Sequence, residues 1–126
     1  MWRGVDSSEI GIVGAGKRYI NFYKDVFDAL DVDIVGFVTR SGKLSDTVGD
    51  YKCFRTMKEL CNQEEPEFFI SVVPYHVTPG IVVDACDLKF NILVETPVGN
   101  FSDASRVLKR VQDAQISVGV TEQWPF

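Results

Sequence analysis

Ile10-Gly11-Ile12-Val13-Gly14-Ala15-Gly16-Lys17-Arg18-Tyr19 is the stretch that decides the fold: an apolar run, a glycine turn and the first residues of a helical pattern. The run contains no polar residue, as expected of a strand buried on both faces in a parallel sheet covered by helices. Past the turn, Tyr19, Ile20, Phe22, Tyr23, Val26, Phe27 and Leu30 recur at three- and four-residue steps as one broad stripe, with Lys24, Asp25 and Asp28 on the other side. Working outward, the alternation continues. Further apolar runs cover Ile34 to Val38, Phe68 to Val73, Ile92 to Val94 and Ile116 to Val120, with a weak strand near Lys52 to Phe54. Between them, Thr56-Met57-Lys58-Glu59 has the form of a capping box that turns Leu60 and Cys61 inward. Thr78-Pro79 reads as an N-cap followed by proline at the first helical position, where its missing N–H costs nothing. A last helix opens at Ser102 or Asp103 and places Ala104, Val107, Leu108, Val111 and Ala114 on one face, with Lys109 and Arg110 in its later half. The polar stretch Ser41 to Asp50 is expected to be a loop or a poor helix. Right-handed crossovers then leave one simple arrangement: a single α/β domain over residues 1–126, a doubly wound parallel sheet of about six strands, order 3-2-1-4-5-6, with helices on both faces.

Composition bounds the function. Of 126 residues 45% are hydrophobic and 25% charged, ordinary for a soluble globular domain, and the formal net charge is −5. A protein that tracks a phosphate backbone needs a basic face, so no nucleic-acid partner is expected. A small anionic ligand remains compatible with an acidic chain, because a helix N-terminus binds phosphate through backbone N–H groups alone. Cys53, Cys61 and Cys86 are odd in number and have no C-x-x-C spacing, and His76 is the single histidine, so neither a disulfide framework nor a metal site is expected. The thiols read as reduced, small core residues. Met1 to Asp6 has no apolar leader and no run approaches a membrane span, so a soluble, cytoplasmic protein is the expectation.

The glycine turn carries the chemistry. Gly14 makes the tight turn and Gly16 lets the backbone approach a pyrophosphate, while the helix start and the cations Lys17 and Arg18 supply positive potential. This is the dinucleotide-binding arrangement of a Rossmann fold, although Tyr19 stands where a third glycine or alanine usually packs helix on sheet. Either that helix packs less tightly or it starts differently. The second strand ends Val38-Thr39-Arg40-Ser41 with no acid to accept a ribose 2′-OH. The guanidinium of Arg40, with hydroxyls from Thr39 and Ser41, suits a 2′-phosphate, so NADP is preferred to NAD. Ligands in such sheets lie beyond the carboxyl ends of the strands, which brings in Val73-Pro74-Tyr75-His76, Glu95-Thr96-Pro97 and Thr121-Glu122-Gln123-Trp124.

With Gly14-Ala15-Gly16, Thr39-Arg40, the Pro74 loop, Leu93-Val94-Glu95-Thr96-Pro97 and Thr121-Glu122-Gln123 in this order, the chain resembles the N-terminal domain of the glucose–fructose oxidoreductase / inositol dehydrogenase / MocA family from Ile10 to Trp124. The resemblance implies NAD(P)-dependent hydride transfer to or from a sugar- or polyol-like substrate, with most substrate and proton-transfer residues on a C-terminal domain outside this sequence. It implies a cofactor site at Gly14, Gly16, Lys17, Arg18, Thr39, Arg40, Ser41, Val73, Pro74, Tyr75, Glu95 and Thr96. Where the family commonly reads Glu-Lys-Pro, with a lysine credited with a catalytic role, this chain has the uncharged Thr96. Where it favours a histidine four residues after the loop proline, this chain has Thr78, and His76 lies two residues earlier. No catalytic residue is assigned on these grounds. A homo-oligomer, or a partner supplying the missing domain, is expected. The alternative class is a nucleotide-binding or protein-interaction module without catalysis.

Overall fold

The computed structural model describes residues 8–30, 32–95 and 101–121. Strands and helices alternate through β1 (Ser8–Val13), α1 (Lys24–Ala29), β2 (Val32–Val38), β3 (Cys53–Phe54), α2 (Met57–Gln63), β4 (Phe68–Ser71), α3 (Thr78–Leu88), β5 (Ile92–Glu95), α4 (Phe101–Ala114) and β6 (Val118–Thr121). The six strands form one sheet in the order β3-β2-β1-β4-β5-β6, every neighbouring pair parallel, as the run-and-stripe pattern predicts. The winding reverses between β1 and β4, the place where such sheets open a crevice at their carboxyl ends.

Each face of the sheet has its own core, which is why the strands carry no polar alternation. Ile10, Ile12, Phe37, Ile70 and Val72 pack on the α1 side, while Val13, Phe69, Ile92 and Val94 pack with Leu60 of α2, Val82 of α3 and Val107 of α4. Phe37, Phe69 and Leu60 are wholly buried, each contributing about 1.5–3 kcal/mol relative to an exposed side chain. The N-cap half of the capping box forms: the Glu59 N–H donates to Thr56 Oγ1 at 3.1 Å, while that hydroxyl, rather than the Thr56 N–H, donates to Glu59 Oε1 at 3.3 Å. Residues 41–50 form a loop with no helix, and β3 is only two residues long. Among the described residues no helix is long and apolar enough to cross a membrane.

Three local readings change. The broad stripe of the first helix splits: Ile20, Tyr23 and Phe27 pack against the sheet, whereas Phe22, Val26 and Leu30 are more than half exposed. The cause is Tyr19. Its ring is wholly buried, edge-on to Phe37 at 5.2 Å, and the chain makes room by a wide π-helical turn over Tyr19–Tyr23, with Lys24 N–H bonded to Tyr19 O. The helix thus does start differently, and the π-turn rotates the residues behind it. On α4, Val107 is buried and Val111 and Ala114 pack partly, but Ala104 and Leu108 face solvent. Thr78 lies inside the first turn of α3 rather than capping it, because the chain already coils there, with Val77 N–H bonded to Pro74 O and Thr78 N–H to Tyr75 O.

Candidate functional site

At the carboxyl ends of β1, β2, β4 and β5 the surface opens into two clefts that share Gly14, Gly16, Val73 and Pro74. The turn between them is tightly determined. Gly14 N–H donates to Val38 O at 2.9 Å, and Val72 N–H donates to Val13 O at 2.8 Å, so the turn is wedged between the ends of β2 and β4. Gly14 sits at φ +98°, and a Cβ there would meet Val72 O at 2.7 Å. Only glycine fits. Gly16 is the opposite case: a Cβ there would meet no protein atom within 4 Å, and its backbone borders open cleft on both sides. The chain is helical from residue 17 to residue 29, so its free N–H groups and dipole lie at this turn.

The smaller cleft, about 440 Å³, is bordered by Lys17, Arg18, Val72, Tyr75 and Glu95 besides the shared residues. Its arginine is paired. Arg18 Nη2 donates to Glu95 Oε2 at 2.7 Å and Nε reaches both carboxylate oxygens at 3.1 and 3.2 Å. The guanidinium also lies 5.0 Å over the Phe22 ring. Hydrogen bonding to Glu95 raises the Arg18 pKa above its ordinary value, so the arginine is charged at every working pH. Tyr75 is largely exposed and stands edge-on to His76 at 5.9 Å.

The larger cleft, about 740 Å³, runs from Gly14 past the end of β2 and is bordered by Thr39, Arg40, Lys43, Arg55, His76, Val77 and Ile81. It contains no carboxylate among its lining residues. The structure therefore gathers Gly14, Gly16, Lys17, Arg18, Val73, Pro74, Tyr75 and Glu95 around one cleft and Thr39 and Arg40 around the other. Ser41 borders neither: its Oγ accepts from Lys43 N–H at 3.2 Å and shapes the loop. Thr96, with Pro97 and Glu122 to Trp124, lies outside the described residues. Sequence reasoning missed Lys43 and Arg55. Lys43 lies in a stretch that reads only as a loop, and Arg55 follows a strand too short for its end to be read as part of a site.

With fold and cleft established, the match to known proteins has a structural frame. A family model described as the oxidoreductase family, NAD-binding Rossmann fold (GFO/IDH/MocA) matches residues 8–122. The chain belongs to that family. It is an NAD-binding domain of the glucose–fructose oxidoreductase / inositol dehydrogenase / MocA type. A Saccharomyces cerevisiae relative, the uncharacterized protein YMR315W, is 24% identical over 127 residues, covering 93% of this chain and 36% of the yeast protein. Among solved structures, GenD2 from gentamicin A biosynthesis in complex with NAD superposes with a TM-score of 0.77 at 17% identity, over 94% of this chain and 35% of GenD2. The myo-inositol 2-dehydrogenase of Lactobacillus plantarum gives 0.71 at 17% identity, over 92% of this chain and 36% of that enzyme. The Bordetella pertussis WlbA dehydrogenase, in complex with NADH and UDP-GlcNAcA, gives 0.73 at 15% identity, over 92% and 37%. The chain thus spans about a third of the length of the family members it matches.

Proposed function

We propose that this domain holds NADP(H) in preference to NAD(H), extended across Gly14–Gly16, as the cofactor half of a cytoplasmic oxidoreductase acting on a sugar- or polyol-like substrate. The observation that carries the reading is the pair of clefts meeting at a glycine turn whose backbone borders both of them. A pyrophosphate fits that floor: Gly16 leaves open space, and the helix start with Lys17 supplies positive potential. When bound, the nicotinamide supplies or accepts a hydride. The residues of this chain do the rest. Val72, Val73 and Pro74 give the smaller cleft an apolar wall, and the Glu95 carboxylate offers acceptors for ribose hydroxyls. In the larger cleft Thr39 and Arg40 stand where an NAD-specific domain would present an acid, which supports the preference for a 2′-phosphate.

The substrate class is supported by two proteins of the same fold, the myo-inositol 2-dehydrogenase and the WlbA dehydrogenase in complex with UDP-GlcNAcA. A second domain or a partner chain is needed to complete the substrate pocket, and self-association through β6, the edge of the sheet, is the companion proposal. The three free thiols fit a reducing compartment. A non-catalytic, nucleotide-binding role is favoured by Thr96, which offers no charge where the family resemblance commonly implies a lysine. Calorimetric titration of the chain with NADPH and NADH tests the main reading. Tighter binding of NADPH is expected; a chain that binds neither nucleotide is no cofactor domain.

A further inference from the structure

The larger cleft holds three cations and no acid. Five other described cations are ion-paired: Arg18 with Glu95, Lys24 with Asp28, Lys52 with Glu64, Arg106 with Asp103 and Arg110 with Asp87. Arg40, Lys43 and Arg55 have no carboxylate within 4 Å among the described residues, in a chain whose net charge is −5. Chance exposure scatters cations among the acids of such a surface. Three of one sign around one cleft repel each other until an anion arrives.

Local geometry shows that the grouping is built. Gly42 N–H donates to Thr39 O at 3.2 Å, Lys43 N–H to Ser41 Oγ at 3.2 Å, and Thr39 Oγ1 to Lys43 O at 3.2 Å, so residues 39–43 form a closed loop that turns Arg40 and Lys43 to the same mouth. Thr39 N–H also donates to Phe54 O at 2.9 Å, which brings the end of β3, and Arg55 next to it, beside that loop. Gly42, at φ +72°, would place a Cβ 2.9 Å from Arg55 Cγ. The arginine stem crosses the loop over the one residue without a side chain.

We propose that Arg40, Lys43 and Arg55 form a cradle for a phosphate monoester on the adenosine ribose, and that Arg55 is a specificity-determining residue for NADP(H). The proposal rests on the reading that the two clefts hold a nicotinamide dinucleotide, and it adds the second element, the β3–α2 turn, to the site that Arg40 opens. A dianion between two guanidiniums and an ammonium gains charge-assisted hydrogen bonds that a 2′-hydroxyl cannot make. The fork of Arg55 approaches from a different element than Arg40, so the two together hold the phosphate from two sides.

The test is calorimetric titration of the 126-residue chain and its Arg55→Gln and Arg55→Lys variants with NADPH, NADH, 2′,5′-ADP, 3′,5′-ADP, 5′-ADP and inorganic phosphate. Arg55→Gln is expected to weaken NADPH and 2′,5′-ADP by about 10- to 100-fold and to leave NADH and 5′-ADP unchanged, which also certifies the fold. Arg55→Lys, which keeps the charge, is expected to retain most of the NADPH preference. An unchanged NADPH-to-NADH ratio in Arg55→Gln, with both nucleotides still bound, overturns the cradle and leaves the dinucleotide reading standing. Failure of the wild-type chain to bind either dinucleotide overturns that reading itself. Equal binding of 2′,5′-ADP and 3′,5′-ADP, or of inorganic phosphate alone, overturns the assignment to the ribose 2′ position.

Discussion

The two clefts share a floor but treat charge in opposite ways. In the smaller one Arg18 is already bound by both oxygens of Glu95, so its positive charge is matched before any ligand arrives. In the larger one Arg40, Lys43 and Arg55 face solvent with no acid among the lining residues. The difference teaches where selectivity resides. A matched pair can orient neutral hydroxyls and gains little from an added phosphate, whereas an unmatched cluster gains most from one. On the proposed reading the larger cleft would choose between NAD(H) and NADP(H), and the smaller cleft would be indifferent to that choice.

The largest expected effect strikes both clefts at once. Gly14→Ala forces a side chain into Val72 O at a backbone angle that costs on the order of 1–3 kcal/mol in strain alone. Both NADH and NADPH binding should be lost, with a lower Tm by thermal scan; retention of either nucleotide breaks the shared-floor picture. Next, Arg40→Ala should weaken NADPH about 10-fold or more and barely alter NADH, which sharpens the contrast. Equal losses would move selectivity out of the larger cleft. Glu95→Gln unmatches the smaller cleft by removing the partner that holds Arg18, so both nucleotides should change by the same factor, read from paired titrations. A changed NADPH-to-NADH ratio in that variant would mean that the two clefts do not divide the work.

Two smaller tests concern the scaffold under each cleft. Tyr19 Oη is buried with no hydrogen-bond partner among the described residues, and burial pushes its pKa well above the tyrosine range. Tyr19→Phe removes that unsatisfied group and should stabilise the chain by about 1 kcal/mol, or roughly 3–5 °C in Tm. A destabilised variant would show that the hydroxyl has a partner. On α3, burial and then the nearby Asp87 charge raise the Asp84 pKa above its ordinary value. The folded state therefore holds this proton more tightly than the unfolded state, and stability falls as pH rises from the ordinary value through the raised one. Asp84→Asn should melt about a degree higher than wild type at neutral pH and converge with it in acid. A constant offset across the range would assign the effect to packing.

Much of this was legible beforehand because the signals are local. Five apolar runs and one weak strand, with helical stripes between them, suffice for strand order, since a strand covered on both faces has no polar positions and right-handed crossovers prune the rest. The glycine turn, Arg40 at the strand end and the Pro74 loop were likewise found from residue type and position. The stripe on the first helix was misread at Phe22, Val26 and Leu30 because an ideal period was assumed, and a π-turn is invisible to it. Its neighbours in sequence draw Ser41 into the site, whereas in the structure it borders neither cleft and its hydroxyl accepts from Lys43 N–H within the loop.

By itself the sequence determined the doubly wound sheet and the glycine turn open to a pyrophosphate, and its motifs carried the family resemblance. The sheet and the turn follow from periodicity and from the few residues that a tight turn accepts. Only the tertiary structure decided that Arg18 is matched by Glu95, 77 residues away, and that Arg55 joins Arg40 and Lys43 across Gly42. Side chains from separate elements meet according to strand register and loop closure, and no local pattern encodes which charges end up paired.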